Sequence, residues 1–170
     1  MKSAMTISTT TSATTSTASP IEAAHLELGR RGEQFAAAYL EQQGYAIVAT
    51  NFTLPVGRNM RGAIVNAEID LVAYDGPTIC FVEVKTRASD WFAPPEANVD
   101  LRKRRQIARA ARAYRRMFGL VNAPHRYDVV TVVLPAGTDE STALQIEILR
   151  NFWNEETLRK RRWSESYYHY

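Results

Sequence analysis

Three charged side chains stand where a strand core should be apolar: Asp70 in Glu68-Ile69-Asp70-Leu71-Val72, then Glu83 and Lys85 in Phe81-Val82-Glu83-Val84-Lys85-Thr86. Two carboxylates on adjacent strands can hold Mg²⁺ or Mn²⁺, hard cations that take oxygen ligands and keep several waters. The Val84 carbonyl is a third candidate ligand. Such an ion polarises a scissile phosphate, lowers the pKa of a bound water and stabilises the charge that builds up during in-line displacement. Lys85 shares a strand face with Glu83, so its ammonium can reach the attacking water or the phosphate. Glu33, from a helix candidate upstream, can add a carboxylate to the ion or its waters. The chemistry implied is metal-dependent cleavage of a phosphodiester. Plainer readings stand beside it, because Glu-x-Lys recurs in unrelated proteins and an acidic residue early in a helix also favours its N-terminus.

The site exists only if the two strands pair in the right register. Asp75-Gly76-Pro77 between them is strong turn chemistry, and a loop centred on Gly76 and Pro77 sets Asp70 opposite Glu83 and Glu68 opposite Lys85. Direct cross-strand neighbours have Cβ atoms about 4.5 to 5.5 Å apart, close enough to share one ion. A three-residue loop would put the two carboxylates on opposite faces. Around this hairpin the pattern gives a helix from Pro20 to about Gln43, stopped by Gly44, and a strand from Tyr45 to Thr50. The stretch from Asn51 to Asn66, rich in Gly, Pro, Asn and Arg, is either a mobile insertion or a longer hairpin. Strands are expected over Ala67 to Tyr74, Thr78 to Lys85, Arg126 to Leu134 and Gln145 to Leu149. An irregular stretch holds Trp91, Pro94 and Pro95. The fold class is α/β, a mixed central sheet flanked by helices.

The second helix, Asp100 to Gly119, places Ile107, Ala111, Tyr114 and Phe118 on one stripe and Arg102, Arg105, Arg109, Arg112 and Arg116 nearly opposite. With Lys103, these arginines are the candidate nucleic-acid contacts. A solvated helix face is the bland alternative, but like charges with few acidic partners repel, and a phosphate backbone relieves that repulsion. The net charge of the 170 residues is only +3, yet eight of the 21 basic residues lie between Arg102 and Arg116. Backbone contacts of this kind carry no base specificity. Asp128 reads as structural, Phe152 and Trp153 as packing residues, and the lone Cys80 as a small buried hydrophobe. No apolar run approaches the roughly 20 residues that cross a bilayer. One nuclease-sized domain over residues 21–153 is expected, between a disordered Ser/Thr-rich tail (1–20) and a basic aromatic tail (154–170), in a cytoplasmic protein.

Taken in order, Gly29-Arg30-Arg31-Gly32-Glu33, Leu40 to Gly44-Tyr45, Glu68-Ile69-Asp70-Leu71, Phe81-Val82-Glu83-Val84-Lys85-Thr86-Arg87, Lys103 and Arg126-Tyr127-Asp128-Val129 resemble the YraN-type family of predicted bacterial endonucleases. The resemblance covers roughly residues 26–152. It implies a restriction-endonuclease-like fold of the PD-(D/E)xK superfamily, similar to archaeal Holliday junction resolvases. It also implies DNA as partner, branched or damaged DNA included, and a homodimer by analogy with the resolvases. Asp70, Glu83 and Lys85 match the superfamily signature, and Glu33 the helical acidic residue of the resolvase-like branch. Two departures stand out. Ala67 replaces the glycine usual before Glu-Ile-Asp, and the Asn51 to Asn66 connection is longer than usual, with Arg58 and Arg61 added to extend the DNA contact.

Overall fold

A computed structural model describes residues 19–87, 99–134 and 144–158; the Ser/Thr-rich tail to residue 18, the stretch around Trp91, Pro94 and Pro95, and the basic run from Arg159 lie outside them. Helix α1 (Pro20–Gln42) starts on a capping box. Ser19 Oγ accepts the Glu22 N–H at 3.3 Å, and Glu22 Oε2 accepts the Ser19 N–H at 2.8 Å. Pro20 follows, where a missing N–H costs nothing. The helix ends at Gly44, whose φ of 87° is easily reached only without a Cβ.

Strands β1 (Ala46–Arg58) and β2 (Ile64–Asp75) pair antiparallel from Ala46↔Tyr74 to Arg58↔Ile64. The Asn51 to Asn66 connection is therefore a long hairpin. Its turn-forming residues are tolerated because β1 is an edge strand, where proline leaves no ladder donor missing and bulges absorb the mismatch. Register shifts fall between Ile47 and Ala49 and between Pro55 and Gly57. At the tip, Asn59 Oδ1 accepts the N–H groups of Arg61 (2.9 Å) and Ala63 (3.0 Å).

Strand β3 (Thr78–Arg87) returns from β2 through Gly76 and Pro77, with Asp75↔Thr78 closing the loop. Gly76 has φ +56° and proline cannot, which is the pattern of a type II′ turn. Helix α2 (Leu101–Met117) then leads to β4 (His125–Val133), parallel to β3, and β5 (Gln145–Trp153) closes the other edge antiparallel. The sheet order β1-β2-β3-β4-β5 is mixed, with α2 as the crossover that a parallel pair requires.

The helices cover opposite faces. Ile107, Ala108, Ala110, Ala111 and Tyr114 of α2 pack on Ile79, Phe81 and Val129, while Ala36 and Leu40 of α1 pack on Cys80, Val82 and Val130. Alternate residues of β3 thus feed two cores, and each large apolar side chain removed from water contributes about 1.5 to 3 kcal/mol. The architecture is the expected α/β mixed sheet between helices, consistent with a restriction-endonuclease-like fold. Packing continues past Trp153, the boundary read from the sequence. Tyr127 donates to Glu155 Oε1 at 2.7 Å, Arg112 binds Glu155 Oε2, and Glu156–Leu158 form a short 3-10 turn.

Candidate active site

The β2–β3 register runs as expected from Asp75↔Thr78 to Leu71↔Val82, and there the ladder stops. Ile69 and Val72 both join the core under α2, whereas Leu71 and Ala73 join the one under α1. The two-residue alternation of a strand therefore slips at Asp70. In the gap that opens, Asp70 Oδ2 accepts the Val84 N–H at 2.7 Å. A carboxylate thus serves a backbone donor that the ladder no longer serves, which keeps it next to Glu83. Neither of the expected next pairs, Asp70 opposite Glu83 and Glu68 opposite Lys85, forms in the ladder: Asp70 reaches Glu83's neighbourhood through the Val84 N–H instead, and Glu68 is exposed. Ala67 is 3% exposed, packed with the α2-side core opposite Leu54, so its methyl is a core contact.

Glu83 is only 2% exposed, yet it carries a charge partner on each oxygen. Lys85 Nζ donates to Oε1 at 2.7 Å, and Lys103 Nζ lies 3.1 Å from Oε2 and 3.9 Å from Asp70 Oδ1. Lys103, which the basic run suggested as a nucleic-acid contact, thus points into the site. Its position explains why: Lys103 precedes Ile107 by one helical turn, on the row that continues to Ala111 and Tyr114, so it belongs to the core-facing side of α2. Counting it with its arginine neighbours hid that spacing. Burial alone would lower the pKa of Lys103, but Asp70 and Glu83 outweigh it and hold the ammonium charged. Asp70 is pushed up to about 7, first by burial and then by the Glu83 charge, while Lys103 and the Val84 N–H pull the other way.

Helix α1 approaches β3 closely because residue 32 is glycine. A Cβ there would sit 1.7 Å from Thr86 Oγ1 and 2.7 Å from Thr86 Cβ. This contact brings the next residue, Glu33, near the carboxylates, where its charge adds to those raising the pKa of Asp70. Gly32 is the positioning residue that the spacing of charges could not reveal; its signal was a glycine inside a helical pattern, which asks for a packing reason.

The basic face of α2 divides in two. Arg102, Arg109 and Arg116 are exposed, whereas Arg105 donates to the Leu158 carbonyl at 3.4 Å and Arg112 pairs with Glu155, both half-buried. Asp128 is structural as expected: fully buried, it accepts from Arg126 Nε and from the Asn151 N–H at 2.8 Å. Arg126 also reaches Asp75 and the Tyr45 hydroxyl, tying together the sheet end remote from Glu83. Trp153 stacks on Tyr127 with ring centroids 5.2 Å apart. At the hairpin tip, Arg58 donates to the Gly62 carbonyl at 2.7 Å.

Among the described residues no three His, Cys, Asp or Glu side chains converge in a metal-ligand set. The donors available are the carboxylates of Asp70 and Glu83, with Val84 between Glu83 and Lys85. Glu83 Oε2 is buried and, among the described residues, faces the Lys103 ammonium. Two carboxylates side by side, with water and phosphate completing the shell, are a usual Mg²⁺ arrangement, and Lys103 now supplies at Glu83 Oε2 and Asp70 Oδ1 the positive charge that an ion would bring.

Residues 32–132 match the sequence profile of the uncharacterised protein family UPF0102. A UPF0102 protein of Koribacter versatilis is 41% identical over 130 residues, 76% of this chain and 85% of its own length. One from Chlorobium chlorochromatii is 39% identical over 132 residues, covering 76% and 94%. One from Solibacter usitatus is 44% identical over 108 residues, covering 64% and 76%. The matched span runs from the glycine that seats α1 on β3 to the end of β4, and so takes in both carboxylates and both lysines: the chain belongs to the UPF0102 family.

Proposed function

We propose that this chain is a divalent-metal-dependent endonuclease of the PD-(D/E)xK type that hydrolyses DNA phosphodiester bonds, branched or damaged DNA among its substrates. The observation that carries the reading is the meeting of Asp70, buried Glu83 and Lys85 where β2 and β3 part. Asp70 and Glu83 would hold Mg²⁺ or Mn²⁺, which supplies Lewis-acid stabilisation of phosphate charge and a more acidic water. The chain's own residues do the rest. Lys85, anchored on Glu83, presents an ammonium to the phosphate or the incoming water. Glu33, from α1, adds negative potential that favours a cation over an anion at the carboxylates. The exposed Arg102 stands in the first turn of α2 next to Lys103, which reaches the site, so it can hold the flanking backbone without reading bases.

A second reading is a nucleic-acid-binding module without turnover. It is favoured by the internal neutralisation of both carboxylates by lysines. Incubation with supercoiled, linear, single-stranded and four-way-junction DNA separates the two. With Mg²⁺ or Mn²⁺ a nuclease cuts and chelator stops it, and Glu83→Gln or Lys85→Ala lowers the rate at least about a hundredfold while DNA is still bound. Metal-independent binding with no cut product from any of the four substrates favours the module. Cutting unchanged by Glu83→Gln removes the site from the chemistry altogether.

A further inference from the structure

Lys103 belongs to neither the strand motif nor the outer basic face of α2. Its ammonium reaches towards both carboxylates, 3.1 Å from Glu83 Oε2 and 3.9 Å from Asp70 Oδ1. The other oxygen of Glu83 is taken by Lys85 at 2.7 Å. With both carboxylates ionised, Asp70 and Glu83 against Lys85 and Lys103 sum to zero charge in a largely buried site, and Glu33 nearby adds one negative charge. A divalent cation entering with both lysines in place would leave an uncompensated positive charge there even with Glu33 counted, which desolvation disfavours. One ammonium must yield its oxygen, and the two are not equivalent. Lys85 is bound to one carboxylate and fixed on the same strand. Lys103 comes from a separate element and lies between the two carboxylates, 3.1 Å from Glu83 Oε2 and 3.9 Å from Asp70 Oδ1, where an ion shared by both would sit.

We propose that Lys103 is a built-in counter-ion that competes with the divalent cation for Asp70 and Glu83 and withdraws when a phosphate arrives to take its charge. It neutralises the carboxylates while the site is empty, which keeps the fold intact without metal. It also makes metal and nucleic acid bind together: the anion compensates the displaced ammonium, so each raises the affinity for the other. Lys103 is thus a positioning residue that couples metal loading to the presence of a phosphate backbone. The inference rests on the metal site proposed above.

The test is Mn²⁺ binding, measured by titration calorimetry without DNA and with a short DNA duplex whose phosphodiesters resist cleavage, on the wild-type protein and on Lys103→Met and Lys103→Gln. Lys103→Met keeps the length and packing of the stem without the charge, and Lys103→Gln serves if Met impairs folding. Both variants are expected to bind Mn²⁺ at least tenfold more tightly than wild type without DNA, to lose most of the DNA-induced gain, and to melt at lower temperature in chelator but not in saturating Mn²⁺. A merely structural lysine would lower the metal-free melting temperature and leave the Mn²⁺ affinity where it was, and that result overturns the inference. So does the absence of Mn²⁺ binding in all three proteins. Wild-type cleavage with unchanged Mn²⁺ affinity in the variants defeats the competition alone, whereas tighter Mn²⁺ binding by the variants without wild-type cleavage defeats the nuclease reading alone.

Discussion

Asp70 is where the chemistry of a single side chain reaches furthest into the behaviour of the protein. Its carboxyl is pushed from 3.8 to about 7 by burial and by Glu83. The folded chain therefore binds a proton that the unfolded chain releases between about pH 4 and pH 7. Because the folded state holds more protons in that window, stability falls as pH rises through it. Denaturant unfolding of the metal-free protein in chelator should give its highest stability near pH 4 to 5 within this series, with a loss of order 1 to 3 kcal/mol by pH 8. Asp70→Asn should flatten that slope; an equally steep slope in the variant would assign the titration to another group. Metal ligation needs the carboxylate form, so Mn²⁺ affinity should rise over the same window and binding should release a proton. At this scale the sequence was informative about residue types and misleading about one direction. Asp70, Glu83 and Lys85 were conspicuous because charges inside strands are costly. Lys103 was hidden among arginines, although its spacing from Ile107, Ala111 and Tyr114 marked it as inward.

Among the elements, the β2–β3 hairpin was the most legible, because a two-residue loop with Gly76 in the left-handed region fixes register from local chemistry alone. The slip at Asp70 was not legible. It depends on how Ile69 and Val72 both reach the core beneath α2, a packing choice that alternation along the strand argues against. The β1–β2 hairpin was half legible, since Pro55 and Gly57 signal a break unless the strand is known to lie at an edge. The docking of α1 on β3 leaves its trace in one residue. Gly32→Ala would drive a Cβ into Thr86, close to its branched carbon, so the helix must lift. The expected cost is about 1 to 3 kcal/mol in urea unfolding, with Glu33 drawn away from Asp70. Thr86→Gly on top of Gly32→Ala should recover part of that loss, because it clears the atoms the new methyl meets. Two costs that simply add would mean that helix and strand do not touch there. In the same core, burial pushes the Cys80 thiol up to about 12, so a thiol reagent should label it only as fast as the sheet opens.

For the whole molecule the decisive quantity is where positive charge is free to meet a polyanion. Arg102, Arg109 and Arg116 recur every seven residues, about 700° of helical rotation, and so line one exposed side of α2 at steps of roughly 10 Å. Arg105 and Arg112 also lay on the stripe read from the sequence, but the segment after Trp153 engages both. That division was not legible, because Glu155 and Leu158 come to α2 from the end of β5, far away in the chain. The two classes of arginine predict different phenotypes. Glutamine at Arg102, Arg109 and Arg116 together should leave unfolding within about 0.5 kcal/mol of wild type. It should weaken DNA binding uniformly across sequences and flatten the plot of log affinity against log salt by about 0.9 for each phosphate no longer neutralised. Arg112→Gln should instead destabilise the fold, since it takes the guanidinium from half-buried Glu155 and leaves it, among the described residues, the Tyr127 hydroxyl as hydrogen-bond donor, and should change the salt slope little. Fluorescence anisotropy with a labelled duplex, over a salt series from about 50 to 300 mM, reads both effects. If the triple variant keeps the wild-type slope, the exposed line is an ordinary solvated face, and the proposed DNA contact would have to rest on other basic residues, Arg58 and Arg61 on the exposed tip of the β1–β2 hairpin being the next to test.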